Sequence, residues 1–261
     1  FEINDGCVCC TVRDGLVAVF EELAGRMEQF DHVIIETTGL ADPGPVMRLF
    51  DRATVRSKFM LQGIVTVVDA LHVLHSIEDV AACAEQITYA DLLILNKTDT
   101  VTADALSRTE KRLNQLNPLA AVIHSQHAEV DIAQVLDSKR RQTGEMHAKK
   151  VDHSHDHNHS HDHDHSHDHT ITSVAVDAMG DVDIDKLDAW LTQLTQRDDV
   201  TVLRMKGLLA VPGQQERFVF HGVRNVIDVQ PERPWGDETR RTHIVFIGRG
   251  LNEAELRAGF L

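Results

Sequence analysis

Asp91-Leu92-Leu93-Ile94-Leu95-Asn96-Lys97-Thr98-Asp99 is the stretch whose reading decides the fold. Four consecutive apolar residues between polar ones read as a strand buried on both faces, since a half-exposed strand would alternate. The residues that follow, Asn96-Lys97-Thr98-Asp99, have the form N-K-x-D at the strand's carboxyl end. That pattern suits guanine. A carboxylate at Asp99 can accept two parallel hydrogen bonds from N1–H and the 2-amino group, a donor pair that adenine lacks. Asn96 can satisfy the base edge or tie loops together, and the Lys97 stem can lie over the ring. The plainer alternative is a loop with an Asp helix cap, but the position directly after a buried strand favours the nucleotide site.

Working outward, apolar runs at 32–36, 63–69 and 121–124 read as three more strands, the first two of them buried. Helix-like segments at 16–28, 46–52, 71–90 and 104–116 lie between or beside them. Continuous apolar strands alternating with helices predict a parallel sheet covered on both faces, with ligands at the carboxyl ends of the strands. Glu36, Asp69 and Asn96 end three of the strands and are expected on one edge. After the first of them comes Glu36-Thr37-Thr38-Gly39. Glu36 could hold the water shell of Mg²⁺ or orient an attacking water, and Gly39 could bring its backbone N–H to a γ-phosphate. A strand-end acid with a glycine turn is the structural alternative.

Near the start, Gly6-Cys7-Val8-Cys9-Cys10-Thr11 holds three of the four cysteines. Cys7, Cys9 and Cys10 could give three thiolates to Zn²⁺, with the fourth place open. A helix beginning near Thr11 would favour the thiolate form through its N-terminal dipole. A redox pair or inert thiols are the alternative. His72, at a helix start after Asp69, is a candidate accessory metal ligand, although an isolated helix histidine is more often structural. Cys83 sits in a helical apolar pattern and reads as core.

A compositional break follows. From His153 to His169 every second residue is histidine, alternating with Asp, Ser and Asn. Such a segment cannot form a core and reads as a disordered linker across 146–170. Its neutral imidazoles suit Zn²⁺, Ni²⁺ or Co²⁺, with modest affinity and poor selectivity because the geometry is unfixed. Beyond it, 171–261 reads as a smaller unit: a strand at 173–176, an amphipathic helix at 183–194 with Trp190 on its buried face, then strands at 200–207, 217–221, 226–229 and 243–248. The expected organisation is 1–145, the linker 146–170, and 171–261.

The formal charge of −15 argues against a non-specific nucleic-acid partner. No run of apolar residues is long enough to predict a membrane span, and no signal peptide is visible. Few, unevenly spaced cysteines argue against a disulfide scaffold and fit a reducing, cytoplasmic setting.

Gly6-Cys7-Val8-Cys9-Cys10-Thr11-Val12-Arg13, Glu36-Thr37-Thr38-Gly39-Leu40-Ala41-Asp42-Pro43, Val67-Val68-Asp69-Ala70 and Asn96-Lys97-Thr98-Asp99 resemble, in order and spacing, the CobW-like family of metal-handling GTPases. The histidine tract and a C-terminal unit with Arg204-Met205-Lys206-Gly207 resemble the linker and second domain of that family. The resemblance implies an α/β P-loop GTPase-type parallel sheet and a small C-terminal α+β domain. It also implies a GTPase that couples GTP binding and hydrolysis to delivery of zinc, or sometimes cobalt, to a client metalloprotein; a homodimer is compatible with it. Cys7, Cys9 and Cys10 fall on the family's metal motif, Glu36 and Gly39 on its γ-phosphate and Mg²⁺ switch, and Asn96, Lys97 and Asp99 on its base-recognition motif. One departure stands out: no G-x-x-x-x-G-K-[ST] phosphate loop occurs, and residue 1 is Phe rather than Met. The chain is therefore expected to be a piece lacking its first strand and phosphate loop, unable by itself to turn GTP over. The rival expectations are a passive zinc or nickel buffer and a nickel-insertion GTPase.

Overall fold

The computed structural model describes residues 11–136 (38 and 40 excepted), 171–224 and 226–260. The stretch 91–96 forms the middle of a parallel three-stranded sheet: β1 (Val65–Asp69), β2 (Leu92–Asn96) and β3 (Ala121–His124), in the order β1-β2-β3. A central strand has both faces covered, and Leu92, Leu93 and Leu95 are accordingly buried. The crossovers are helical. α4 (Val73–Asp79) and α5 (Ala81–Tyr89) lead from β1 to β2, and α6 (Ala103–Leu116) leads from β2 to β3. They follow α1 (Thr11–Ala24), α2 (Gly44–Met47) and α3 (Ala53–Arg56). Leu16 and Phe20 of α1 pack on Leu49 and Val55, with the Phe20 ring edge-on to Phe50 and Phe59. After β3 comes the short α7 (Ile132–Val135).

Two expectations about this unit need correction. Residues 32–36 are not a buried strand: they pair with no described strand, and Ile34 is 80% exposed. An apolar run becomes a strand only when a neighbour satisfies its backbone groups, and none of the described strands lies beside it. The segment 71–90 is two helices rather than one. Val80, β-branched and extended (φ −131°, ψ 104°), ends α4 and starts α5, re-aiming the chain before Ala84, Ile87 and Tyr89 enter the core.

The second sheet is antiparallel, with β4 (Thr172–Met179), β5 (Thr201–Ala210), β6 (Glu216–Val223), β7 (Val226–Pro234) and β8 (Arg241–Arg249) in the order β4-β8-β5-β6-β7. α8 (Ile184–Thr195) and α9 (Glu253–Phe260) cover one face through Leu187, Leu191, Leu194, Leu256 and Phe260. Trp190 is half-buried there, edge-on to Phe246 and Phe260. Gly207 is needed where β5 meets β8, because a Cβ would stand 2.1 Å from the His243 carbonyl oxygen.

The opposite face of this sheet closes onto the first unit. Leu203, Val223, Val245 and Ile247 belong to one apolar cluster with Val68, Ala84, Ile87, Leu93 and Leu95. Arg204, buried in β5, forms an ion pair with buried Asp91 and donates through Nη1 to the Tyr89 carbonyl at 2.6 Å. Asp91 also accepts from the Ile64 amide at 3.0 Å, so one carboxylate ties the entry to the parallel sheet and the antiparallel sheet together. The two sheets share a core.

Candidate functional site

The parallel register sets Asp69 beside Asn96 at the carboxyl edge of the first sheet. Asn96 spends its side chain on the loop after β3: its Oδ1 accepts from Ser125 Oγ at 2.9 Å and from the Ala128 amide at 2.9 Å. Lys97 then turns the chain in the left-handed region (φ 60°, ψ 34°) and opens a 3-10 turn, Thr98–Thr100. Thr98 donates through its amide and hydroxyl to the Ser125 carbonyl, at 3.3 and 3.1 Å. Thr100 Oγ1 donates back to the Lys97 carbonyl at 2.7 Å. These bonds lock the turn while leaving Asp99 exposed. The geometry is that of a rigid loop presenting one carboxylate to solvent beside a lysine stem.

Lys97 Nζ lies 2.8 Å from Asp69 Oδ2, and the same oxygen is 3.1 Å from His72 Nδ1. Asp69 Oδ1 accepts from the amides of Leu71 and His72 at 2.8 and 3.2 Å. Partial burial works against the Asp69 charge. The bonds from Lys97, from the His72 ring and from the two amides outweigh it and hold the carboxyl well below the usual carboxylate range. Asp69 is therefore ionised at neutral pH and anchors the Lys97 ammonium.

The loop after β3 escaped the sequence reading. Ser125 is 4% exposed, and His127 and Ala128 both take positive φ (53° and 59°). Two non-glycine residues in the left-handed region cost on the order of 1 kcal/mol each, which marks this as a shaped loop. The available signal was a polar Ser directly after the apolar run 121–124, ending at the same edge as Asp69 and Asn96.

Glu36 is exposed in the unpaired segment and is not brought to that edge by strand pairing. Gly39 has φ +46°, a conformation that favours glycine. Gln86 of α5 donates through Nε2 to the carbonyls of Gly39 and Ala41, both at 2.9 Å. Asp42 then accepts from the Gly44 amide at 2.8 Å as α2 begins. Gln86 also went unread, because half-buried helix glutamines carry no motif.

His72 is exposed at the start of α4 with Asp69 as its partner. Among the described residues no group of three or more His, Cys, Asp or Glu is placed to hold a metal ion. Cys7, Cys9, Cys10 and the histidine tract lie outside the described residues. Cys83, half-buried against the main core, is a free thiol pushed up by burial. No described helix is long and apolar enough to cross a membrane.

The architecture is that of an α/β P-loop GTPase-type unit carrying a separate antiparallel sheet covered by helices. Residues 1–124 match the family described as CobW/HypB/UreG, nucleotide-binding domain, and residues 171–261 match the cobalamin synthesis protein cobW C-terminal domain. The chain is 31% identical to the zinc chaperone YjiA of Escherichia coli (strain K12) over 99% of its own length and 80% of that protein's. To the zinc chaperone CobW of Pseudomonas aeruginosa it is 32% identical, over 98% of this chain and 72% of the relative. The crystal structure of Zn(II)-bound YjiA GTPase from E. coli superposes with a TM-score of 0.71 at 29% identity, covering 97% of this chain and 77% of that one. The chain belongs to the CobW family.

Proposed function

We propose that this protein is a GTP-dependent zinc metallochaperone, and that one observation carries the reading. Asn96-Lys97-x-Asp99 forms a locked turn, fastened to Ser125 on one side and to Asp69 on the other, with the Asp99 carboxylate exposed. That arrangement fits guanine recognition. The names of its relatives, zinc chaperones and a GTPase with bound Zn(II), support zinc as the handled metal. In this reading Asn96, Lys97 and Asp99 bind the base. Glu36 and Gly39 act at the γ-phosphate, where a hard carboxylate oxygen suits the water shell of Mg²⁺. Zinc is cargo. Cys7, Cys9 and Cys10 offer thiolates that suit it, with His72 as an accessory ligand, and cobalt or nickel are chemically admissible. Residues 1–145 form the nucleotide unit, 146–170 a metal-collecting linker and 171–261 the unit that meets the client, in the cytoplasm.

The mechanism is a switch. GTP orders the loop after Glu36 and tightens the thiolate site; hydrolysis loosens both and releases metal to a client metalloprotein. Within the 261 residues no G-x-x-x-x-G-K-[ST] loop is present. We therefore expect this stretch alone to bind metal without turning GTP over, since that loop supplies the phosphate cradle and the Mg²⁺-binding hydroxyl. The alternating histidines from His153 to His169 favour a second reading, a passive zinc buffer.

The test is zinc-dependent GTP hydrolysis by the 261-residue chain beside a protein extended by its native upstream coding sequence. Hydrolysis by the extended protein alone, with a zinc response abolished by Cys9→Ser, supports the switch. An extended protein that binds several zinc ions without preferring GTP overturns it in favour of buffering. Equal zinc affinity with GDP and with a non-hydrolysable GTP analogue sinks the coupling.

A further inference from the structure

Among the described residues, the loop after Glu36 is held from two places, and neither is part of the nucleotide motifs. From α5, Gln86 Nε2 grips the carbonyls of Gly39 and Ala41 at 2.9 Å each. From the antiparallel sheet, Arg224 places Nη2 3.8 Å from Asp42 Oδ2 and 3.8 Å from Glu85 Oε2. Arg224 also donates through Nε to the Tyr89 hydroxyl at 2.6 Å, with its guanidinium 5.8 Å from the centre of the Tyr89 ring. Its backbone is in the left-handed region (φ 51°), and its amide bonds to the Leu203 carbonyl at 3.1 Å. A non-glycine residue kept in that conformation is strained, and it sits in the turn between β6 and β7.

Three residues on one short helix make the connection. Gln86 faces the loop, while Glu85 and Tyr89, four apart and so on one side, face the antiparallel sheet. Glu85 is fixed at its other oxygen by Arg249 Nη2 at 2.8 Å. Arg224 therefore spans a loop carboxylate and a helix carboxylate at equal distance. If the loop withdraws Asp42, Arg224 keeps Glu85 and the Tyr89 hydroxyl. The Arg224–Asp42 contact is partly exposed and long, so solvent screens it and it is weak. An attachment this weak can be made and broken within a functional cycle, unlike the buried Arg204–Asp91 pair beside it.

The geometry points to Gln86 and Arg224 as positioning residues for the loop after Glu36: Gln86 holds it for hydrolysis, and Arg224 carries its position to the β6–β7 turn of the antiparallel sheet. This rests on the reading of that loop as the γ-phosphate switch. Through it, the face that meets a client would differ between the GTP and GDP states.

The experiment uses the protein with its native upstream sequence. Fluorescent GTP and GDP titrations first read nucleotide binding. Steady-state hydrolysis is then measured for Gln86→Glu, which keeps the size and loses the donor. Its kcat is expected to fall about tenfold with KM within about threefold, the split produced by a misplaced reacting group rather than by weaker substrate binding. Hydrogen exchange at 222–228 is expected to differ between GDP and a non-hydrolysable GTP analogue in the unsubstituted protein. That difference should vanish in Arg224→Met, which keeps the apolar stem over Tyr89, at unchanged nucleotide affinity. Arg224→Gln, which also removes the charge, serves in its place if the Met variant fails to fold. The inference is overturned if nucleotide binds but exchange at 222–228 ignores its identity, or if Gln86→Glu leaves kcat within about twofold. A protein that binds no guanine nucleotide overturns both this inference and the proposed function.

Discussion

In the proposed reading, Asp99 would carry guanine specificity by its charge and by its two acceptor oxygens. Replacing it with Asn swaps one acceptor for a donor, so the pair that fits guanine's two N–H groups no longer forms. Asp99→Asn is expected to weaken GTP binding about 100-fold, the equivalent of ~3 kcal/mol for removing one strong charge-assisted interaction. The same change should raise affinity for XTP, whose base shows one N–H and one carbonyl along that edge. Competition titration with GTP, XTP and ATP decides it; unchanged GTP preference would remove Asp99 from the base site. Asn96, Lys97, Asp99 and Asp69 were legible because four contiguous residues and a strand end encode their places. Ser125, Ala128, Gln86 and Arg224 were not. Their partners lie 29 to 47 residues away for the first three, and across the two sheets for Arg224. No local pattern records such a meeting.

Elements were read where their periodicity was strong and their neighbours present. β2 and α6 follow their sequence patterns closely, the one by continuous burial and the other by a Thr102 cap that accepts from the Ala105 amide at 3.3 Å. The run 32–36 looked like β2 in composition yet pairs with no described strand, since apolar character supplies the faces of a strand but not its hydrogen-bonding partner. α9 was unread because its core residues, Leu256 and Phe260, give only one helical repeat. The junction of α5 with β2 depends on a residue that no motif announces. Asn117, 1% exposed at the end of α6, shares its Nδ2 donors among the carbonyls of Ile87, Thr88 and Ala90 at 2.8, 3.0 and 2.9 Å. Its Oδ1 accepts from the amides of Leu119 and Ala120, both at 3.1 Å. Asn117→Ala strands these buried groups and is expected to cost about 2–4 kcal/mol. Chemical denaturation would show it as a fall in midpoint at constant slope, and a loss under about 0.5 kcal/mol would mean that water replaces the side chain.

At the scale of the whole molecule, Tyr89 stands where the two sheets meet. It is fully buried, its carbonyl is held by Arg204, and its hydroxyl is held by Arg224. Burial, with the carboxylates of Asp42 and Glu85 nearby, pushes its phenol up to about 12 against the opposing pull of Arg224. The folded value lies above the ordinary 10, so the neutral phenol is the form that the assembled sheets favour. The associated stability is therefore fully present below pH 10 and is lost as pH rises from 10 towards 12, an amount on the order of 3 kcal/mol. The chain contains one tyrosine, so phenolate absorbance reports this group alone. In denaturant the absorbance should rise around pH 10. In the native protein it should stay low through that range and rise only as the circular dichroism of the fold is lost. Tyr89→Phe should abolish this share of the alkaline instability while removing one bond from Arg224. A native protein that ionises its tyrosine near pH 10 with its circular dichroism intact would show that the two sheets part there without unfolding. The shared core would then be a hinge, and the coupling through Arg224 would have to act across an interface that opens.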